Sequence, residues 1–216
     1  MSFALATGAE ARWTGTPGRC AVVCVNGGTA AEVPGTWSAS LEWLVRVLAG
    51  RFPHLGFLEV RYRVKSWRRL DLCVEDGLAA ITAARGAGAE EVALLAFSMG
   101  GAVAVRNAGQ AGVEVVVGVN PWLPPELELE PLVGRRLAIV HGTLDAPLPG
   151  IPGVKPSMSK KACERARGLG VDAERRVVRG GLHAVALRRP GGGLVPLPGA
   201  KRYGQFVGEE LELFCA

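Results

Sequence analysis

Short, continuously apolar segments alternate with amphipathic segments along most of the sequence, and this alternation limits the possible folds more than any other feature. The runs AVVCV (21–25), EVALLAF (91–97) and VEVVVGV (113–119) each have the length of a strand. Between them, segments such as LEWLVRVLAG (41–50) carry apolar residues at helical spacing. Strands that are apolar throughout and alternate with helices are typical of a parallel sheet covered on both faces. We therefore predict an α/β fold with a mostly parallel central sheet and helices on both faces.

The predicted elements fill the chain without a linker, a repeat or a low-complexity tract. After an N-terminal stretch that is predicted to form a short hairpin, strands are predicted at 19–25, 55–64, 91–97, 113–120, 135–142 and 171–178. Helices are predicted at 36–50, 71–85, 98–109, 159–170 and 201–216. A chain of 216 residues can bury a sizeable core, and we predict a single domain over residues 1–216.

The apolar runs, the N-terminus and the cysteines predict a cytoplasmic protein. No apolar run approaches the roughly 20 residues that a membrane-spanning helix needs. The N-terminal segment MSFALATGAEARW has neither the basic region nor the sustained apolar region of a signal peptide. The five cysteines form no CxxC pair, which favours reduced, buried thiols over a disulfide framework or a metal site. We expect no metal, no cofactor and no membrane partner.

The positive charge of the chain allows a second interpretation. The net charge is +5, and the densest basic run is RYRVKSWRR (61–69), which also contains aromatic residues. Such runs occur in nucleic-acid-binding proteins. This run covers one segment only, and acidic residues are spread through the rest of the chain. A solvated rim or an anion-attracting site mouth is therefore favoured over a nucleic-acid-binding face. We expect no nucleic-acid partner, and the alternative predicts an affinity that depends steeply on salt.

Polar residues follow the predicted strands at the edge where an α/β sheet places its ligand site. Ser98 comes directly after the strand 91–97 and directly before a predicted helix, in the pattern Ala96-Phe97-Ser98-Met99-Gly100. Small residues flank such a serine because the backbone turns sharply and neighbouring segments come close. A serine on this turn is a candidate nucleophile, whereas the same pattern without partners would be a plain strand-to-helix turn.

A serine nucleophile needs a base and an acid, and few residues qualify. Of the three histidines, His54 precedes a strand at the opposite edge, and His141 ends a strand and is expected to be held by the fold. His183 lies on a Gly-rich loop after the last strand of the predicted sheet, so it is the candidate base. Of the four aspartates, Asp145 alone lies on a loop just past a strand end, and it is the candidate acid; the others are Asp71, Asp76 and Asp172.

The order Ser98, Asp145, His183 resembles that of the α/β-hydrolase fold family, in which serine, acid and histidine follow one another along the chain. The resemblance covers nearly the whole chain, and VHGTLDAPLP (140–149) is similar to the acid-bearing loop of small carboxylesterases and dienelactone-hydrolase-like proteins. The latter usually have a cysteine nucleophile, where this chain has serine.

The resemblance also implies an oxyanion hole formed by the backbone amides of Met99 and Gly28. Gly28 lies in the turn Asn26-Gly27-Gly28, where the family often has histidine in place of asparagine. Ala96 replaces the usual first glycine of the nucleophile turn, which is a mild departure.

The interval in which the family often inserts a helical cap is short here. It reads PWLPPELELEPLVG (121–134), and its prolines predict an extended loop, so we expect no cap domain. A second loop at 147–159 is predicted to cover the site. The pocket is therefore expected to be shallow and open to small esters.

The sequence thus predicts a serine hydrolase that cleaves a carboxylic ester, with a thioester or an amide as the less favoured substrate. The expected partner is a small-molecule ester, and the oligomeric state stays open. The alternative is a non-catalytic ligand-binding or scaffold protein on the same fold, because a fold does not fix a function.

Overall fold

The structure is a computed structural model and describes residues 1–146 and 153–214. The strands are β1 (Ser2–Ala4), β2 (Glu10–Thr14), β3 (Cys20–Val25), β4 (Gly56–Arg61), β5 (Glu91–Phe97), β6 (Val113–Val119), β7 (Arg136–Gly142), β8 (Asp172–Val178), β9 (Ala186–Arg188) and β10 (Leu194–Pro196). The α-helices are α1 (Ala39–Arg51), α2 (Leu70–Gly86), α3 (Gly100–Asn107), α4 (Pro156–Gly168) and α5 (Ala200–Leu213). Short 3₁₀ helices cover Trp67–Arg69 and Glu130–Leu132.

The first eight strands form one sheet in the order β1-β2-β4-β3-β5-β6-β7-β8. All neighbours from β4 to β8 are parallel, and only β1 and β2 are antiparallel additions at one edge. The carboxyl ends of β3, β5, β6, β7 and β8 therefore lie along one edge. The predicted α/β fold with a mostly parallel central sheet is confirmed.

Two apolar clusters, one on each face of the sheet, form the core. Alternate residues of β3 belong to opposite clusters, as the two-residue period of a strand requires. One cluster includes residues of α2, α3 and α4, and the other includes residues of α1 and α5. Helices thus cover both faces, which explains why the central strands are apolar throughout.

Several differences from the predicted elements lie near the site. The helix predicted at 98–109 begins at Gly100, because Ser98 and Met99 form the turn itself. The loop predicted at 147–159 lies partly outside the described residues, and its last positions belong to α4, which begins at Pro156. The segment 121–134 contains no α-helix, so the expected absence of a helical cap at this position agrees with the structure. Two positions of the helix predicted at 201–216, 215 and 216, lie outside the described residues.

The prediction of reduced cysteines is correct for three residues and wrong for one. Cys24, Cys73 and Cys163 are free and buried. Burial raises the pKa of the Cys73 thiol to about 11, so this thiol stays protonated at neutral pH. Cys20, in contrast, is disulfide-bonded. Spacing alone did not reveal this bond, because a disulfide depends on which chain segments come together.

Three arginines of the basic run 61–69 are held in ion pairs with carboxylates of neighbouring segments. The pairs are Arg61–Glu10, Arg63–Glu75, Arg63–Asp76, Arg69–Glu32 and Arg69–Asp71. Part of the positive charge of this run is therefore balanced within the fold.

In the part of the chain that the structure describes, no helix has both the length and the apolar character needed to cross a bilayer.

The buried carboxylate of Glu42 links α1 to β2 and β9 through ion pairs. Glu42 of α1 is paired with Arg12 at 2.8 Å, with Arg188 at 2.6 Å and with Arg46 of its own helix. Burial by itself raises the pKa of Glu42, but the hydrogen bonds from Arg188 and Arg12 outweigh it and lower this pKa to about 2. The ionised carboxylate therefore stabilises the fold over most of the acid range.

Candidate active site

Ser98 lies on a sharp turn between β5 and α3, with its backbone in the left-handed region at φ 55°. Its amide donates to Val119 O at 3.2 Å, and its carbonyl accepts from Gly101 N at 2.9 Å and Trp122 N at 2.7 Å. A non-glycine residue in this region is strained and persists only where the surroundings impose it. The hydrogen bonds to Val119 and Trp122 do so here, and they present the hydroxyl at the carboxyl edge of the sheet.

The two glycines after the serine are required by close approaches of other chain segments. A Cβ at Gly100 would clash with Val25 O and lie 2.9 Å from Asn26 O. A Cβ at Gly101 would lie 2.6 Å from the side chain of Pro121. The two glycines of Ser-Met-Gly-Gly therefore allow the start of α3 to pack closely against the end of β3 and the segment after β6.

The structure brings Ser98, Asp145 and His183 together at this edge, although they are far apart in sequence. His183 Nε2 lies 3.0 Å from Ser98 Oγ, and His183 Nδ1 lies 2.8 Å from Asp145 Oδ2. All three side chains are buried. A carboxylate can only accept, so Nδ1 carries the proton toward Asp145 and Nε2 is free to accept the hydroxyl proton of Ser98. This is the arrangement that activates a serine.

Asp145 remains ionised although it is 2% exposed. Burial raises the pKa of this carboxyl, but hydrogen bonds from His141, His183 and the Val154 amide, with the charge of His183, bring it below its ordinary value. Its negative charge is therefore available to orient the imidazole of His183 and to stabilise its protonated form.

Asn120 holds the loop that carries His183, and the sequence analysis gave it no role. Its backbone is also left-handed, at φ 46°. Its Nδ2 donates to Leu182 O at 2.9 Å and His183 O at 2.6 Å, while its Oδ1 accepts from Gly142 N at 2.8 Å and Tyr203 Oη at 3.2 Å. The position of Asn120 just past β6 could have marked it as a candidate, whereas no sequence feature indicated its contact with Tyr203 of α5.

The loop with Asn26 and Gly28 packs against the serine turn. A Cβ at Gly27 would lie 3.1 Å from Ser98 Cβ, and one at Gly28 would clash with the Met99 side chain. Asn26 fixes this loop, because its Oδ1 accepts from Gly27 N and its Nδ2 donates to Thr36 O. Within the described residues, the amides of Gly28 and Met99 donate to no protein acceptor.

The other two histidines differ from each other in their surroundings. His54 lies before β4, at the opposite edge of the sheet, as predicted. His141 is fully buried at the end of β7, as expected, but its Nε2 also lies 3.0 Å from Asp145 Oδ2. This contact with the candidate acid was missed, because strand position does not tell which way an imidazole points.

A pocket of about 200 Å³ opens beside Ser98. Aromatic and apolar side chains dominate its wall, which is formed by Trp67, Ser98, Met99, Trp122, Gly153 and Val154. Its volume is below the roughly 300–1,000 Å³ of pockets that hold drug-sized ligands.

Within residues 1–146 and 153–214, no group of three or more His, Cys, Asp and Glu side chains is arranged to hold a metal ion.

No protein-family model and no curated protein sequence matches this chain. Solved structures, in contrast, are similar over nearly its full length. A dienelactone hydrolase from Anabaena variabilis ATCC 29413 is 16% identical, with a TM-score of 0.68 and coverage of 99% of this chain and 97% of that chain. A dienelactone hydrolase-like promiscuous phosphotriesterase from metagenomic libraries is 17% identical, with a TM-score of 0.69 and coverage of 99% and 97%. Esterase PE8 is 17% identical, with a TM-score of 0.68 and coverage of 93% and 98%.

At these identities the similarity establishes the fold. The protein has the α/β-hydrolase fold, in its form without a helical cap between β6 and β7.

Proposed function

We propose that the protein is a serine hydrolase that cleaves carboxylic esters, with Ser98 as nucleophile, His183 as general base and Asp145 as the residue that orients His183. The continuous hydrogen-bonded chain from Asp145 Oδ2 through both ring nitrogens of His183 to Ser98 Oγ carries the proposal. The solved structures with this fold include proteins described as esterases and hydrolases, which supports the same reaction class.

In the first half of the reaction, His183 Nε2 takes the hydroxyl proton while Ser98 Oγ bonds to the ester carbonyl carbon. The carbonyl oxygen becomes an oxyanion, which the free amides of Met99 and Gly28 stabilise. The bond to the leaving alcohol then breaks, and the alcohol leaves with the proton from His183. The acyl group remains on Ser98 as an ester.

In the second half, a water molecule gives a proton to His183 Nε2 and attacks the acyl carbon. The bond to Ser98 Oγ breaks, Oγ recovers the proton, and the carboxylic acid is released. Asp145 keeps its negative charge throughout, because its pKa lies below the ordinary range. It stabilises the imidazolium that forms twice in each cycle.

The pocket beside Ser98 favours esters with a small apolar group. Trp67 and Trp122 give it an apolar wall, and about 200 Å³ leaves little room for a long chain. We expect activity to be highest with short acyl chains and to fall as the chain lengthens. A thioester or an amide has the same carbonyl chemistry and belongs in the substrate panel. A phosphotriester belongs there too, because one protein of this fold is described as a promiscuous phosphotriesterase.

Labelling with a fluorophosphonate probe, together with hydrolysis of a series of p-nitrophenyl esters, tests this proposal. The wild type is expected to be labelled at Ser98 and to hydrolyse the short esters, and Ser98→Ala is expected to lose both. Ser159→Ala is the matched control, because Ser159 is also buried, but its hydroxyl donates to Pro156 O within α4 and accepts from Arg175 Nε, away from the candidate site.

Two results would overturn the proposal. One is a folded wild type that the probe does not label and that hydrolyses no member of the panel, which is what a non-catalytic binding protein on this fold would give. The other is Ser98→Ala with retained ester hydrolysis.

A further inference from the structure

His141 is a buried imidazole that the proposed mechanism does not use. It lies at the end of β7 and is fully buried. Its Nε2 is 3.0 Å from Asp145 Oδ2 and also 3.0 Å from the carbonyl oxygen of Val154. Among the described residues, its Nδ1 is buried and has no hydrogen-bond partner. One nitrogen thus faces two oxygens, and the other faces none.

These surroundings determine which nitrogen carries the proton. A carboxylate oxygen and a backbone carbonyl can only accept, so Nε2 must carry a hydrogen to interact with either of them. Adding a second hydrogen at Nδ1 would leave a buried donor without a partner, which costs about 1–3 kcal/mol. Nε2 of His141 therefore carries a hydrogen, and that N–H is shared between Asp145 and Val154.

Val154 connects this contact to the substrate pocket. Its amide donates to Asp145 Oδ1 at 2.8 Å, while its carbonyl faces His141. Val154 also lines the pocket beside Ser98. Asp145, His141 and Val154 thus form a closed set of hydrogen bonds, which we call the acid clamp. Both carboxylate oxygens of Asp145 are held in it, and so is one wall of the pocket.

We propose that His141 is a positioning residue. Its Nε2–H holds the carboxylate of Asp145 toward His183, and the same N–H holds the pocket wall at Val154 in place. This inference rests on the proposed function of Ser98, Asp145 and His183. Loss of the N–H frees Asp145 Oδ2 to rotate away from His183 and releases the carbonyl of Val154. Turnover falls and substrate binding weakens together, although His141 lies outside the chain of groups that moves the proton.

Three variants test the acid clamp. His141→Leu removes the N–H and keeps an apolar side chain of moderate size. His141→Gln is the conservative variant, because its Nε2 lies the same number of bonds from Cα and can donate to the same oxygens. His141→Asn, whose shorter side chain cannot reach both acceptors, serves where the leucine variant does not fold.

Turnover is measured per serine that the fluorophosphonate probe can label, so that a loss of folded protein does not count as a loss of activity. His141→Leu or His141→Asn is expected to lower kcat roughly 10- to 100-fold, as misplacement of a reacting group by about 1 Å does. KM is expected to rise in the same variants. His141→Gln is expected to stay within roughly 3-fold of the wild type on both constants.

Hydrogen exchange of the Val154 amide gives a readout that needs no catalysis. The amide is expected to exchange slowly in the wild type and in His141→Gln, and faster in His141→Leu and His141→Asn. Unchanged exchange and unchanged kinetics in the leucine or asparagine variant would overturn the inference, as would a glutamine variant as impaired as they are. If the wild type shows neither labelling nor turnover, the proposed function fails, and the exchange of this amide alone decides whether the clamp exists.

Discussion

The buried side chain of Asn120 gives the sharpest test of how this fold positions the candidate base. The variant Asn120→Asp has nearly the same shape and keeps the oxygen that accepts from Gly142 N and Tyr203 Oη. It replaces Nδ2, which donates to Leu182 O and His183 O, by an oxygen. Two donated hydrogen bonds become two contacts between oxygens in a fully buried site.

The size of the effect follows from those two contacts. The carbonyl of His183 loses its donor, and a buried polar group without a partner costs about 1–3 kcal/mol in the free energy of unfolding, whereas Leu182 O can still accept from Tyr203 Oη. Proteins of this size have about 5–15 kcal/mol in total, so the variant is expected to fold at low temperature with reduced stability. An aspartate at this place has a folded-state pKa above its unfolded value, because its protonated form can donate to a carbonyl. The difference from the wild type is therefore expected to shrink as the pH falls toward 4.

Asn107→Asp is the matched control. Asn107 is also buried, and its Nδ2 also donates to two carbonyls, those of Val74 and Val103, but it lies at the end of α3. Urea unfolding at pH 7 is expected to give similar losses for both variants. The rate of fluorophosphonate labelling per folded molecule is expected to fall for Asn120→Asp only, because Asn120 contacts the loop of His183 and Asn107 does not.

The reasoning would be refuted by an Asn120→Asp variant that unfolds within about 0.5 kcal/mol of the wild type at pH 7. Equal labelling rates for the two variants would refute the role of Asn120 in placing His183. In that case the loop of His183 would be held by its other contacts, such as the hydrogen bond from Tyr203 to Leu182 O.

Two further predictions concern stability. Gly100→Ala places a Cβ against Val25 O and is expected to lower the free energy of unfolding by about 1–3 kcal/mol. Gly86→Ala is the control, because the space around Gly86 at the end of α2 is open, and it is expected to be neutral or to stabilise by up to about 1 kcal/mol. Equal Tm values for the two variants would contradict the close approach at the serine turn. The pKa of Glu42 falls from 4.5 unfolded to about 2 folded, so its contribution of up to about 3 kcal/mol is present above pH 4.5 and is lost as the pH falls toward 2. Glu42→Gln is therefore expected to be less stable than the wild type in urea at pH 7 and to approach it at pH 2; a constant difference between pH 7 and pH 2 would contradict this assignment.

The sequence predicted the fold well, because the fold depends on repeated patterns. The strands β3, β5, β6 and β7 are apolar on both sides, and only a sheet covered on both faces buries all of those side chains. Turn signals separated the elements clearly, and β5 begins and ends where the sequence predicted. The short strands β9 and β10 were missed, since three residues on each side of a Gly-rich turn give too little pattern to distinguish a hairpin from a loop.

The candidate site was predicted in part, because its members follow strand ends. Ser98, Asp145 and His183 were selected from a small number of serines, aspartates and histidines by their places past β5, β7 and β8, and the structure brings these three together. Their catalytic roles, and the oxyanion roles of Met99 and Gly28, stay predictions that the Ser98 variant and the probe will test. The disulfide of Cys20 and the contacts of Asn120 lay beyond what spacing could indicate.

By itself, the sequence determined the layered α/β architecture and the edge of the sheet at which chemistry could occur, because periodicity decides which residues must be buried. Only the tertiary structure decided that His141 faces Asp145, that Tyr203 of α5 reaches Asn120, and that Val154 joins the acid to the pocket wall. Each of these contacts joins residues from different elements at a distance of about 3 Å, and such contacts depend on side-chain direction and helix packing, which no local pattern encodes.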